Sequence, residues 1–315
     1  MVLQKLSPII CLLLLSSALL AGVASAEEKP LVIATTSILG SVIEDLAGDK
    51  VQLIILVSPS ICPAHYDVKP SDVYAVSEAR LIFYHGMERW LDQLYEVSGS
   101  KAKLIKISGD WTTPDGIKTY YRKVAEALES ELGIDVSDKL ESRLSEIDRA
   151  SEEILRNAER SGVSEIGAIV MSWQKGFVEW MGFKVVGEFG PPEKLSSADI
   201  EKLIVLGEKN DVRLVISNLQ SGTHVGETIA EELNAVHVVL SNFPGTDPET
   251  RTLIDLMRAK ADRLLEAIKL LDLKRSMASM ETTIEFYQAV VCLLIIIVAV
   301  EALAIIYLVR RMRRA

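Results

Sequence analysis

Ala289 to Val309 is an apolar run of 21 residues whose only polar members are Glu301 and Tyr307. As a helix it spans roughly 31 Å, the thickness of a bilayer's hydrocarbon core. Arg310, Arg311, Arg313 and Arg314 follow at once. The spacing therefore predicts a transmembrane helix over 286–309 and a cytoplasmic tail over 310–315, with everything before the helix outside the cytoplasm. Glu301 inside the span reads as a helix–helix contact with a membrane partner or as a functional carboxylate.

The other end is also apolar. Lys5, the run Ile9–Leu20 and Ala24-Ser25-Ala26 before Glu27 have the layout of a secretory signal over 1–26. The other reading of that run is a first membrane helix. The whole chain carries a net charge of −10; without Lys5, Glu301 and the four terminal arginines the middle carries −14. A surface so acidic argues against nucleic acid or anionic lipid headgroups as the partner. Four histidines and three cysteines exclude a Cys-rich zinc scaffold or a disulfide framework. With Cys11 in the signal and Cys292 in the span, the ectodomain keeps only Cys62. Nothing in the sequence sets an oligomeric state.

Between the ends, short apolar β-rich runs alternate with helical patterns. Leu31–Thr35, Val51–Leu56, Leu81–Tyr84 and Ala102–Ile107 read as strands, with helices at Ile38–Ala47, Ser71–Glu78 and Glu88–Val97. A second set follows at Ile166–Met171, Phe183–Gly187, Arg213–Ser217 and Val236–Leu240, with helices near Gln174–Met181, Ser197–Asn210 and Val225–Leu233. Strands apolar on both faces are those of parallel sheets. The fold class is α/β: a first lobe over 27–136 and a second over 162–273. A long helix over 137–161 joins them, with Leu140, Leu144, Ile147, Ile154 and Ala158 at helical spacing. Another charged helix, Asp247 to Leu271, closes the second lobe, and 274–285 reads as a tether to the membrane. Ligands of open α/β sheets bind beyond the C-terminal strand ends. The loops to inspect are Val57–Pro70, Ser108–Pro114, Met171–Gln174, Asn218–His224 and Ser241–Gly245.

Ala34-Thr35-Thr36-Ser37-Ile38-Leu39, Ala47-Gly48-Asp49-Lys50-Val51, Pro70-Ser71-Asp72 and the stretch Leu81 to Asp92 resemble the zinc/manganese solute-binding proteins of ABC transporters. The resemblance extends over nearly the whole ectodomain, including the connecting helix. It implies capture of a divalent metal between two α/β lobes, delivery to a membrane permease, and only small lobe movements about a rigid spine. It also implies four ligands, three histidines (one sometimes Glu) and an aspartate. Those slots hold other residues here. Ala64 stands where the first histidine belongs, with His65 one residue later; Gly109, beside Asp110, holds the second. The third falls near Met171-Ser172 and the fourth at Ser241-Asn242.

Three readings of this altered cleft follow. In the first, Cys62 and His65, three apart in one loop, bind the ion with Asp110 and Met171, and His224 is a further candidate. The family implies zinc or manganese, whereas Cys, Met and His together favour a softer ion such as copper. In the second, Trp173, Gln174, Asn218, Gln220, Ser241 and Asn242 line a cleft for a small organic molecule or a metal chelate. In the third, the domain is a non-transporting adaptor or sensor whose tether and acidic surface serve a partner protein, and the intramembrane Glu301 is the feature that points to it. An enzyme is not expected: the nucleophile-elbow, Walker, zincin and dinucleotide motifs are all missing. His85 and His237, at a strand end and within a strand, read as structural.

Overall fold

The computed structural model describes residues 28–313. The signal segment 1–26 lies outside them, as do the last two residues of the tail.

Two four-stranded, wholly parallel sheets form the two lobes. The first contains β1 (Leu31–Ala34), β2 (Gln52–Ile55), β3 (Leu81–Tyr84) and β4 (Lys103–Lys106), in the spatial order β2-β1-β3-β4. The second contains β5 (Gly167–Met171), β6 (Lys184–Phe189), β7 (Val212–Asn218) and β8 (Val236–Leu240), in the order β6-β5-β7-β8. The two orders match, so each lobe repeats one plan. The strands fall where the apolar runs place them, trimmed or shifted by a residue or two.

The first lobe's helices are α1 (Ser37–Ala47), α2 (Pro70–Glu78), α3 (Leu91–Ser98) and α4 (Pro114–Leu132). Helix α4 goes beyond the sequence reading, although its signals are present. Pro114 sits in its first turn, Gly133 closes it in the left-handed region, and Ile117, Tyr120, Tyr121, Val124 and Leu128 form its buried face. The connecting helix α5 (Ser137–Arg160) buries Ile147, Ala150, Ile154 and Ala158. One apolar core runs from Val32 and Phe83 of the first lobe, past Ile147 and Ile154, to Leu214 and Ile216 of the second.

The second lobe adds α6 (Lys175–Trp180), α7 (Ser197–Lys209) and α8 (His224–Glu232). The last helix, α9, begins at Leu253 rather than near Asp247, because Thr252 and Asp255 form a reciprocal cap there. It then runs for 60 residues to Met312. The expected tether is thus helix, continuous with the segment after it; no Gly or Pro interrupts this stretch. Its Thr283–Met312 part is long and apolar enough to cross a membrane, with a mean hydropathy of 3.2. The other half of α9 belongs to the core through Leu253, Met257, Ala261, Leu264 and Ile268.

Candidate functional site

The C-terminal ends of both sheets face one crevice, and two hydrogen bonds cross it. Trp111 Nε1, from the loop after β4, donates to the Asn242 carbonyl after β8 at 3.2 Å. Gln220 Nε2, from the loop after β7, donates to the Pro59 carbonyl after β2 at 3.0 Å.

On the first lobe's side lies a buried polar cluster. Glu88 accepts from Thr35 Oγ1 at 2.6 Å and from the amides of His85 and Gly86 at 3.0 and 2.7 Å. Burial alone would raise its carboxyl; these hydrogen bonds outweigh burial and hold it below the usual range. His85 has both ring nitrogens engaged, Nε2 with Thr36 Oγ1 at 2.8 Å and Nδ1 with Tyr120 Oη at 3.0 Å. Its burial pushes the imidazole pKa down despite the nearby Glu88 charge. The Trp111 ring packs on it with centroids 5.2 Å apart. His85 therefore supports the tryptophan that reaches across the crevice, and His237, 2.8 Å from Ser217 Oγ, is likewise engaged within its own lobe.

The four residues expected to bind metal do not form one cluster. Cys62 is half-buried and opens a short turn over Pro63–His65, where the His65 amide bonds back to the Cys62 carbonyl at 3.0 Å. The His65 ring is exposed. Trp90 Nε1 fixes the turn by donating to the Pro63 carbonyl at 2.8 Å. Asp110, by contrast, folds onto its own loop. Its carboxylate accepts from the Thr112 amide and hydroxyl at 2.8 and 2.7 Å, and from the amide and hydroxyl of Thr113. Burial raises this carboxyl, but the threonine bonds win and lower it. Gly116 lets α4 rest on this turn, since a Cβ there would overlap the Asp110 carbonyl.

Met171 is fully buried, with Ile169, Phe189 and Val215 around it, and its sulfur accepts from the Trp173 amide at 3.3 Å. The reason is strand parity. Ala168 and Val170 face the core shared with the first lobe, so Ile169 and Met171 face the lobe's other side. His224 is exposed at the start of α8. Among the described residues no group of three or more His, Cys, Asp or Glu is placed to hold a metal ion.

The neutral polar residues do come together. Gln174 is fully buried and donates through Nε2 to Asn218 Oδ1 at 2.9 Å and to the Leu240 carbonyl at 3.2 Å, while its own Oε1 has no partner. Asn218 continues to Ser221 Oγ at 2.9 Å. Ser241 Oγ meets Gln220 Nε2 at 2.8 Å and Thr246 Oγ1 at 2.9 Å. Asn242 donates to the carbonyl of Trp173, whose ring is 51% exposed.

Sequence reasoning missed Lys260. It lies on the buried face of α9 between Met257 and Leu264, is only 3% exposed, and donates to Asn242 Oδ1 at 2.9 Å. Its ammonium stands 4.4 Å from the centre of the Phe177 ring. The signal was a lysine at a core position of an amphipathic helix. Burial pushes its pKa down to about 7, against a smaller upward pull from Asp110. Between that value and the usual 10.5 the unfolded chain holds a proton that the folded chain does not. Stability should thus rise from pH 7 to pH 10. In Lys260→Met this rise should flatten, as thermal melts of both proteins at pH 7, 8 and 9 will show; equal slopes would contradict it.

The fold has close counterparts among solved structures. The Mn-bound periplasmic metal binding protein from Candidatus Liberibacter asiaticus superimposes with a TM-score of 0.66 at 18% identity, covering 76% of this chain and 100% of that one. The periplasmic zinc binding protein TroA from Treponema pallidum gives 0.65 at 16% identity, over 76% of this chain and 99% of that one. By sequence, the metal ABC transporter substrate-binding lipoprotein ScbA of Streptococcus cristatus is 28% identical over 160 residues, 46% of this chain and 50% of the relative. The manganese ABC transporter substrate-binding lipoprotein PsaA of Streptococcus pneumoniae is 32% identical over 121 residues, 35% of this chain and 38% of the relative. The chain thus spans half or less of the length of these curated relatives. Residues 32–267, most of the chain, match one family model, and the chain belongs to that family, zinc-uptake complex component A, periplasmic (ZnuA).

Proposed function

We propose that this chain is an extracytoplasmic solute-binding protein that captures a metal ion in its inter-lobe crevice and hands it to an ABC permease. The observation that carries the reading is the pair of opposed strand ends, bridged by Trp111–Asn242 and Gln220–Pro59, with Cys62 and His65 together in one loop of the first lobe. Thiolate and imidazole are zinc-type donors, and a thiolate also suits copper; manganese prefers oxygen. Relatives named for manganese and zinc support metal as the cargo class. In this reading Thr283–Met312 is a single-pass anchor, the lobes lie outside the cell and the arginine-rich C-terminus lies in the cytoplasm. Chemistry is not part of the role, which is binding and release.

The test is elemental analysis of the detergent-purified full chain, followed by melts with zinc, manganese and, under reducing conditions, Cu(I). A native-state ligand at a hundred times its Kd adds about 2.7 kcal/mol. A co-purifying ion and a concentration-dependent rise in Tm are expected. A chain that carries no metal and shows no shift with any of the three ions would sink the reading.

A second form of the same reading has one specific support. Two donors, Cys62 and His65, leave a tetrahedral ion half-coordinated, and no third His, Cys, Asp or Glu joins them among the described residues. An ion arriving with part of its own ligand shell would complete that geometry.

A further inference from the structure

The part of α9 between the second lobe and the apolar span carries a stripe that the lobe does not cover. The residues α9 gives to the core stop at Leu271. From there to Glu285 the large apolar residues are Leu273, Met277, Met280 and Ile284, set among charged and hydroxyl side chains. With Leu270 and Tyr287 at either end they stand alternately three and four residues apart, and each of the six is more than half exposed. That spacing averages 3.5 residues, so all six take positions a and d of a heptad on one face of the helix. This is the narrow seam of a coiled coil rather than the broader stripe with which a helix packs on a globular core. The seam begins where the lobe ends, since the same spacing carried one turn further back falls on Glu266 and Arg263. It exists only because this stretch is helix; an irregular tether would present no face.

The residues at each position suit two parallel strands. Continued into the apolar span, position a takes Ile284, Val291, Val298 and Ile305, all β-branched, and position d takes Leu294 and Leu308. β-Branched residues at a with leucine at d favour a parallel dimer. Ile284, Tyr287 and Val291 also border a shallow groove, with Gln288 and Cys292, into which a side chain of a second helix could fit. The same count puts Glu301, the one charged residue of the span, at d. Arg310, the nearest basic residue along the helix, is nine residues on and on the opposite face, so the two do not pair. A carboxyl facing hydrocarbon alone is costly, and a polar partner across a helix contact relieves that cost. Two copies held by the same anchor run parallel and at the same height. Each seam residue then meets its own counterpart, and Glu301 meets Glu301.

We propose that α9 pairs with α9 of a second copy of this chain, as a parallel, left-handed coiled coil that starts at Leu270 and continues through the membrane to Leu308. The anchored protein is then a dimer that holds two binding units side by side. This inference takes the single-pass anchor from the reading above and needs nothing of the cargo.

The test is cysteine cross-linking of the purified full chain in lipid vesicles, with Cys62 and Cys292 replaced by serine and one new cysteine at a time. Under mild oxidation, Met277→Cys and Met280→Cys on the seam are expected to form the disulfide dimer at least tenfold faster than Asp272→Cys and Glu285→Cys on the outer face. Adding Leu273→Glu and Ile284→Glu to the Met280→Cys chain sets like charges against each other and is expected to abolish the cross-link. Neither residue belongs to the core, so the lobes of that variant should melt as in wild type. Alkaline extraction of the vesicles shows separately whether the chain is embedded, which tells a failed anchor from a failed seam. An embedded chain that stays monomeric, or that cross-links equally at all four positions, overturns the proposal. A cross-link that survives the paired charges overturns it as well.

Discussion

Replacing Glu88 by alanine is expected to lower stability by about 2–4 kcal/mol, because the change strips the acceptor from a buried hydroxyl and a buried amide. Thr35 Oγ1 and the His85 amide both point at one carboxylate oxygen, and the Gly86 amide points at the other. Glu88 itself is buried, so water does not readily replace it. For a domain of this size the loss corresponds to a fall of roughly 4–16 °C in melting temperature. Glu88→Gln should fall in between, since its amide NH2 must face one of these donors. The damage should also extend beyond stability. His85 holds the ring of Trp111, and Trp111 reaches the second lobe through Asn242. Calorimetric unfolding of both variants checks the order; an alanine variant as stable as wild type would contradict it.

The second large effect is expected at Asp45, where three helices meet. Its carboxylate accepts Arg143 Nε at 3.0 Å and Nη2 at 2.6 Å, and the Tyr121 hydroxyl at 2.7 Å. Asp45 belongs to α1, Tyr121 to α4 and Arg143 to the connecting helix α5, so this one group pins the spine to the first lobe. Breaking a buried pair by removing one partner costs about 3–5 kcal/mol. Arg143 is 28% exposed and keeps Glu146 at 2.6 Å, which places Asp45→Ala near the lower end of that range. Tyr121→Phe should cost about 1 kcal/mol, the value of a single hydrogen bond. Arg143→Lys should cost more than its retained charge suggests, because the two-pronged guanidinium contact is lost. Denaturant melts of the three variants, with the Asp45→Ala/Tyr121→Phe double variant, measure the coupling; simple additivity would mean that the group does not act as a unit.

Most of the architecture is legible in the sequence, for a physical reason. Parallel strands covered on both faces are nearly continuous apolar runs, and such runs stand out between amphipathic helices. Ser137–Arg160 was equally plain, since its apolar positions keep one helical stripe within a charged segment. The errors have particular causes. The polar composition of 274–285 suggests a tether, but polarity without Gly or Pro does not end a helix that is already propagating. The place of Met171 in the chain puts it among the cleft loops, while the two-residue period of β5 turns its side chain into the cluster of Ile169, Phe189 and Val215. Asp110 reads as a donor until Thr112 and Thr113 are weighed as its local partners ahead of Pro114.

The amide cluster and Lys260 lay furthest from what the sequence shows. Gln174, Asn218, Ser241 and Asn242 come from three loops, and only the shared register of β5, β7 and β8 brings them together. A single sequence has no signal for that meeting. Lys260 did leave one, a charge on an otherwise apolar helical stripe, and its partner Asn242 is 18 residues away.

The central claim is metal capture through Cys62 and His65. The most direct measurement is a calorimetric zinc titration of the full chain beside the Cys62→Ser/His65→Ala double variant, both with and without equimolar citrate so that either form of the cargo is presented. One ion per wild-type chain is expected, with affinity falling at least a hundredfold in a double variant that melts like wild type. Zinc binding of equal affinity and stoichiometry in both proteins would contradict the account.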